Sequence, residues 1–99
     1  MVYLRYEAHP KPSSPRYGAI DGAFIGCWVN ETVIDAADAA ARQFLADLGW
    51  EIDEREEARF VVAADYAASD PVRAYLEQAL LDGVVAEVHT WPVGAPDEQ

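Results

Sequence analysis

The stretch from Thr32 to Trp50 constrains this chain most, because it carries a start signal, an apolar stripe and a stop signal for one helix. Ile34, Ala37, Ala41, Phe44, Leu45 and Leu48 recur at three- and four-residue spacing, so they fall on one side of a helix. Thr32 is the expected N-cap, with Asp35 three residues on as a weak capping-box partner. Asp35 and Asp38 put negative charge near the positive end of the helix dipole. Gly49 supplies the left-handed residue that ends the helix, and Trp50 is expected to fold back onto Leu45. Such a stripe has to be buried against another element, and the strand-like segments around it supply a sheet.

From Val2 to Ala8 the chain alternates, with Val2, Leu4, Tyr6 and Ala8 on one side and Tyr3, Arg5 and Glu7 on the other. That is a strand with one buried face. His9 to Ile20, rich in proline and serine, reads as a long loop. Asp21-Gly22 turns into a second strand, Ala23 to Asn30, which sorts Ala23, Ile25, Cys27 and Val29 from Phe24, Gly26, Trp28 and Asn30. After the helix, Glu51–Arg55 and Phe60–Ala63 read as two short strands joined at Glu56-Glu57-Ala58. Those are poor hairpin-turn residues, so one long strand is the competing reading. Asp70-Pro71 opens a second helix with Val72, Tyr75, Leu76, Ala79 and Leu80 as its stripe, and Gly83 closes it. Val84 to Trp91 is the last strand, stopped by Pro92. The expectation is one α+β domain over residues 1–92 and a flexible tail over 93–99.

From Ala23 onward the order strand, helix, strand, strand, helix, strand resembles the ferredoxin-like βαββαβ arrangement, with one extra N-terminal strand. That order implies a two-layer sandwich with both helices on one face of a mainly antiparallel sheet. The small-residue faces would then lie under the helices. The opposite face would gather Tyr3, Phe24, Trp28, His89 and Trp91 with no helix over it, a patch that a second copy, the loop or a ligand should cover.

Charge narrows the function. Eighteen carboxylates face seven Lys and Arg residues, giving a formal net charge of −11. Such a field repels nucleic acid and anionic lipid and would steer a basic protein partner. No apolar run approaches the length of a membrane span, no basic leader precedes an apolar run, and a lone Cys27 fits a reducing compartment, so a cytoplasmic location is expected. The alanine-rich, lysine-poor composition suggests a bacterial source. No His or Cys spacing calls for a metal or other cofactor, and the acidic run Glu51, Asp53, Glu54, Glu56 and Glu57 reads as a solvated edge. Cys27 belongs on the helix-covered face as an inert core residue. His89, two residues from both Glu87 and Trp91, is a candidate acid/base or pH-sensitive interface group.

Two readings follow. The first is a non-enzymatic interaction or regulatory module of the immunity type, dimeric, acting through the aromatic sheet face. The second is a small dimeric ferredoxin-like enzyme or small-molecule binder with a pocket near His89 and Trp28. Both use the same candidate residues: Tyr3, Phe24, Trp28, Asn30, His89 and Trp91.

Overall fold

The computed structural model describes residues 1–93, and the expected tail beyond Val93 lies outside the described residues. The elements are β1 (Val2–Pro10), β2 (Ile20–Val29), α1 (Ile34–Asp47), β3 (Trp50–Phe60), α2 (Pro71–Asp82) and β4 (Val84–Pro92), with a short 3-10 turn at Ala63–Asp65. The protein is α+β: a four-stranded antiparallel sheet in the order β3-β1-β2-β4, with two helices. Among the described residues no helix is long and apolar enough to cross a membrane.

This order departs from the ferredoxin-like expectation in three ways. The first strand is no addition at an edge. It pairs with β2 from Val2↔Val29 to Ala8↔Ala23 and with β3 from Val2↔Phe60 to Pro10↔Trp50, so it lies in the middle. Residues 50–60 form one long strand, which settles the open choice against a hairpin. With β1 beside it for its whole length, this segment bends only through irregularities opposite Arg5/Tyr6 and Glu7/Ala8. The third departure is that the helices lie on opposite faces. Val2, Leu4, Tyr6 and Ala8 of β1 and Ala23, Ile25, Cys27 and Val29 of β2 pack under Ala37, Ala41 and Leu45 of α1. On the other face Trp28, with Tyr3 and Val85 beside it, packs under Leu76 and Ala79 of α2.

β2 explains why both faces need cover. From Gly22 to Val29 its side chains are apolar or glycine on both sides, as suits a strand buried on both faces, and one helix cannot cover both. Full burial of side chains such as Leu4, Ile25 and Leu45 contributes about 1.5–3 kcal/mol each.

The helix stop signals hold. Gly49 and Gly83 take φ of +93° and +90°, and Trp50 is buried in the same cluster as Leu45. Asp70 caps α2, accepting the Val72 N–H at 2.9 Å, with Pro71 in the first turn. The start of α1 differs: the N-cap is Val33, not Thr32, and no side chain among the described residues caps it. Leu48 and Leu80, expected in the stripes, are exposed.

Candidate functional site

α2 divides the face that was expected to be bare. Over one half it seals Trp28, which is 4% exposed. Tyr75 of α2 stacks on the Trp28 indole at 4.8 Å and 22°, and Tyr3 meets it from the side at 5.0 Å. Among the described residues the Trp28 Nε1–H has no partner, and stacking holds the ring. Tyr3 can lie flat because β2 carries Gly26 beneath its ring, where a Cβ would press on the phenol. Burial pushes the Tyr3 hydroxyl above its ordinary pKa, and neighbouring Glu57 adds to this.

The other half stays open, and Phe24, His89 and Trp91 meet there. Phe24 and Trp91 touch at 5.1 Å in a tilted pair, both half-buried. The Trp91 indole rests on Gly22, where any Cβ would overlap it. Arg5 lies over the Phe24 ring at 4.8 Å and pairs with Glu56 at 3.3 Å. The expectation of a bare aromatic face is thus corrected: α2 takes Trp28 out of it, Tyr3 packs half-buried against Trp28, and Arg5 shields part of the rest.

Between the halves lies a depression of about 270 Å³ lined by Tyr3, Arg5, Phe24, Gly26, Glu87 and His89. Glu87 and His89 within it already have partners. Glu87 accepts a hydrogen bond from the Tyr75 hydroxyl at 3.1 Å, and His89 Nε2 stands 3.5 Å from the Glu87 carboxylate. The His89 side chain is 69% exposed. Asn30 does not join these residues. It lies just past the end of β2, exposed, beside Phe44 and Val84, and its N–H donates to the Gly83 carbonyl.

Two side-chain clusters escaped the sequence reading. The first centres on His9, which β1 carries to the sheet end opposite Glu51. His9 Nδ1 is 2.7 Å from Asp53 and Nε2 is 3.1 Å from Glu51. The hydrogen bond to Asp53 lifts the imidazole above its usual pKa against a smaller opposing effect of burial, and Glu51 adds to the rise. His9 continues the phase of Tyr3, Arg5 and Glu7, which is the only signal the sequence offered; its acidic neighbours depend on a strand pairing the sequence does not declare.

The second cluster lies under α1. The fully buried Tyr6 donates its hydroxyl to Asp38 Oδ1 at 2.6 Å, Arg42 Nε donates to Oδ2 at 2.9 Å, and Arg55 stands 3.6 Å away. Burial alone would raise the Asp38 carboxyl; the hydrogen bonds from Tyr6 and Arg42 and the charge of Arg55 reverse this and hold it below the usual Asp value. The Tyr6 hydroxyl is raised by burial and by the same hydrogen bond. Cys27 is buried, and burial pushes its thiol up to about 12, as suits an unreactive core residue.

Of the acidic run on β3, Glu51 and Asp53 meet His9, Glu56 meets Arg5 and Glu57 meets Arg59. Glu54 faces Glu7 directly across the β1–β3 ladder, and neither is in an ion pair among the described residues. Glu7 is also the register partner of Phe24, so this pair of like charges borders the open half-face. Among the described residues no group of three or more His, Cys, Asp or Glu is arranged to hold a metal ion. Comparison with protein-family models, curated proteins and solved structures finds no match to this chain.

Proposed function

We propose that the chain is a non-enzymatic interaction module of the regulatory or immunity type, working as a homodimer and presenting the open half of the sheet face to a basic protein partner. The observation that carries this reading is the Glu7–Glu54 pair beside Phe24 and Trp91. Like charges placed directly opposite in a sheet are destabilising. A partner's arginine set between the carboxylates would relieve that repulsion and could stack on the neighbouring aromatic rings, as Arg5 already does on Phe24. The net charge of −11 would speed the encounter with a basic surface.

The test is a titration of the ¹⁵N-labelled chain with an arginine-rich peptide at 0.15 M salt, a physiological ionic strength. The reading expects amide shifts at Glu7, Phe24 and Glu54 and at the Trp91 indole, weakened by salt and by Glu54→Gln. Shifts spread evenly over carboxylates elsewhere, such as Asp35, Glu77 and Asp82, would refute it.

The depression beside Gly26 supports a second reading, a small-molecule binder or enzyme using Arg5, Glu87 and His89. Under that reading Trp28 shapes the site only from beneath, through Tyr3. Saturable binding of a small ligand that His89→Ala abolishes while the peptide shifts persist would favour it.

A further inference from the structure

The two edges of the sheet differ in kind. The β3 edge bears Glu51, Asp53, Glu54, Arg55, Glu56, Glu57 and Arg59, a density of charge that discourages a further strand. The β4 edge has Glu87 and His89 as its only ionisable residues; the remainder are Val84, Val85, Ala86, Val88, Thr90, Trp91 and Pro92. Val88 and Thr90 are exposed on the α1 side, because α1 packs mainly toward β3 and, among the described residues, leaves this margin of the sheet uncovered.

The ladder fixes which backbone groups of β4 point away from β2. The Asn30 N–H donates to the Gly83 carbonyl at 2.9 Å, so that pair is hydrogen-bonded. The β2–β4 register continues in step through Trp28↔Val85, Gly26↔Glu87 and Phe24↔His89. Alternation in an antiparallel ladder therefore turns the backbone groups of Val85, Glu87 and His89 toward β2, and those of Val84, Ala86, Val88 and Thr90 outward.

We infer that this edge pairs with the same edge of a second copy of the chain, antiparallel about a two-fold axis at Val88. The inference deepens the homodimer of the proposed function by giving its interface. With the axis at Val88, outward residues meet outward residues: Val88 meets its own copy and Ala86 meets Thr90 of the partner subunit. On the other face Glu87 stands opposite His89 of the partner subunit, twice over, which sets a carboxylate acceptor against an imidazole N–H donor. Moving the axis to Ala86 or Thr90 keeps the hydrogen-bond phase and leaves Glu87 facing an apolar residue. Moving it to Glu87 or His89 loses the phase and sets like beside like. One register thus satisfies both the backbone and the Glu87–His89 pairing.

The densest run of carboxylates stands away from this contact. The β3 carboxylates lie three strands away from β4, about 14 Å at the usual strand spacing, beyond the screening length of about 8 Å at physiological salt. The joined sheet would have its two open half-faces side by side on one surface, since a two-fold axis perpendicular to the sheet keeps like faces together.

The experiment is sedimentation equilibrium on the full chain, with hydrogen exchange on the same samples. The wild type is expected to be a dimer at ~100 µM, with slow exchange at the amides of Ala86, Val88 and Thr90. Val88→Pro removes only an outward N–H, so the ladder to β2 is expected to stay intact and the chain to become monomeric. His89→Glu sets a carboxylate opposite Glu87 of the partner subunit and should weaken the dimer at least tenfold. Adding Glu87→Lys to that variant sets an ammonium opposite the new carboxylate and should recover the dimer to within a few-fold of the wild type. If Val88→Pro does not fold, the charge exchange decides alone. A monomeric wild type, a dimer that survives Val88→Pro, or a charge exchange without recovery overturns the inference. Titration of the monomeric form with the arginine-rich peptide separates the two claims: shifts at Glu7 and Glu54 would then show the basic-partner reading standing without this interface.

Discussion

Tyr6→Phe tests how α1 is fixed to the sheet, because it removes one hydroxyl and leaves a ring of nearly the same shape in a site that is 0% exposed. The lost bond is 2.6 Å long and ends on a carboxylate. Hydrogen bonds to charged groups are worth about 1.5–3 kcal/mol. Asp38 keeps Arg42 at 2.9 Å and Arg55 at 3.6 Å, so the carboxylate is not stranded. The loss should therefore fall near the low end, about 1.5–2 kcal/mol. For a chain of this size that lowers the melting temperature by about 6–15 °C and the urea midpoint by about 1 M, with unchanged slope. The pH dependence gives a second reading of the same bond. The folded carboxyl of Asp38 is held below its unfolded value, so its contribution is present above the unfolded pKa, near 4, and is lost as pH falls through the folded value. The gap between wild type and Tyr6→Phe should be constant from pH 7 to about pH 5 and close in more acid solution. A gap below about 0.5 kcal/mol at pH 7, or one that persists unchanged after the carboxyl has titrated, would refute the reasoning.

Gly22→Val should expel the Trp91 indole from the sheet, since any Cβ at that position overlaps the ring; a red-shifted tryptophan emission with the fold retained is the expected signature. His9→Gln should reduce stability at pH 5–6 and leave it nearly unchanged at pH 8. The folded imidazole is raised by Asp53, so its contribution is present below the unfolded pKa and lost as pH rises through the folded one; parallel melting curves across that range would count against it. Glu54→Gln should raise the melting temperature by about 1–4 °C by removing the repulsion with Glu7, while weakening binding of the arginine-rich peptide; a lowered melting temperature would mean the pair is compensated.

Periodicity made the local elements legible. The alternation of Val2, Leu4, Tyr6 and Ala8, the stripe of Ala37, Ala41 and Leu45, and the stops at Gly49 and Gly83 all encode their own structure within a few residues. The assembly was harder to read because it depends on long-range pairing. The first strand looked like an addition because the order of elements after it resembles a known fold, yet β1 and β2 pair along seven residues and take the centre. A signal for two-sided cover was present: β2 sets Phe24 and Trp28 on one face and Ile25 and Val29 on the other, and α2 offers Tyr75 and Leu76 to match. The same missing pairing explains the histidines. His89 drew attention through neighbours two residues away, where it stands largely in solvent, while His9 found its carboxylates on a strand more than forty residues further on.

The central claim is that α2 covers Trp28 and leaves Phe24, His89 and Trp91 as the open half of the face. The most direct measurement is the broadening of the three tryptophan indole N–H signals by a neutral paramagnetic co-solute in the ¹⁵N-labelled chain. Trp28 and Trp50, 4% and 3% exposed, should be protected while Trp91 broadens, and Tyr75→Ala should sensitise Trp28 alone. Broadening of Trp28 equal to that of Trp91 in the wild type would mean that no helix lies over this face, and would contradict the account.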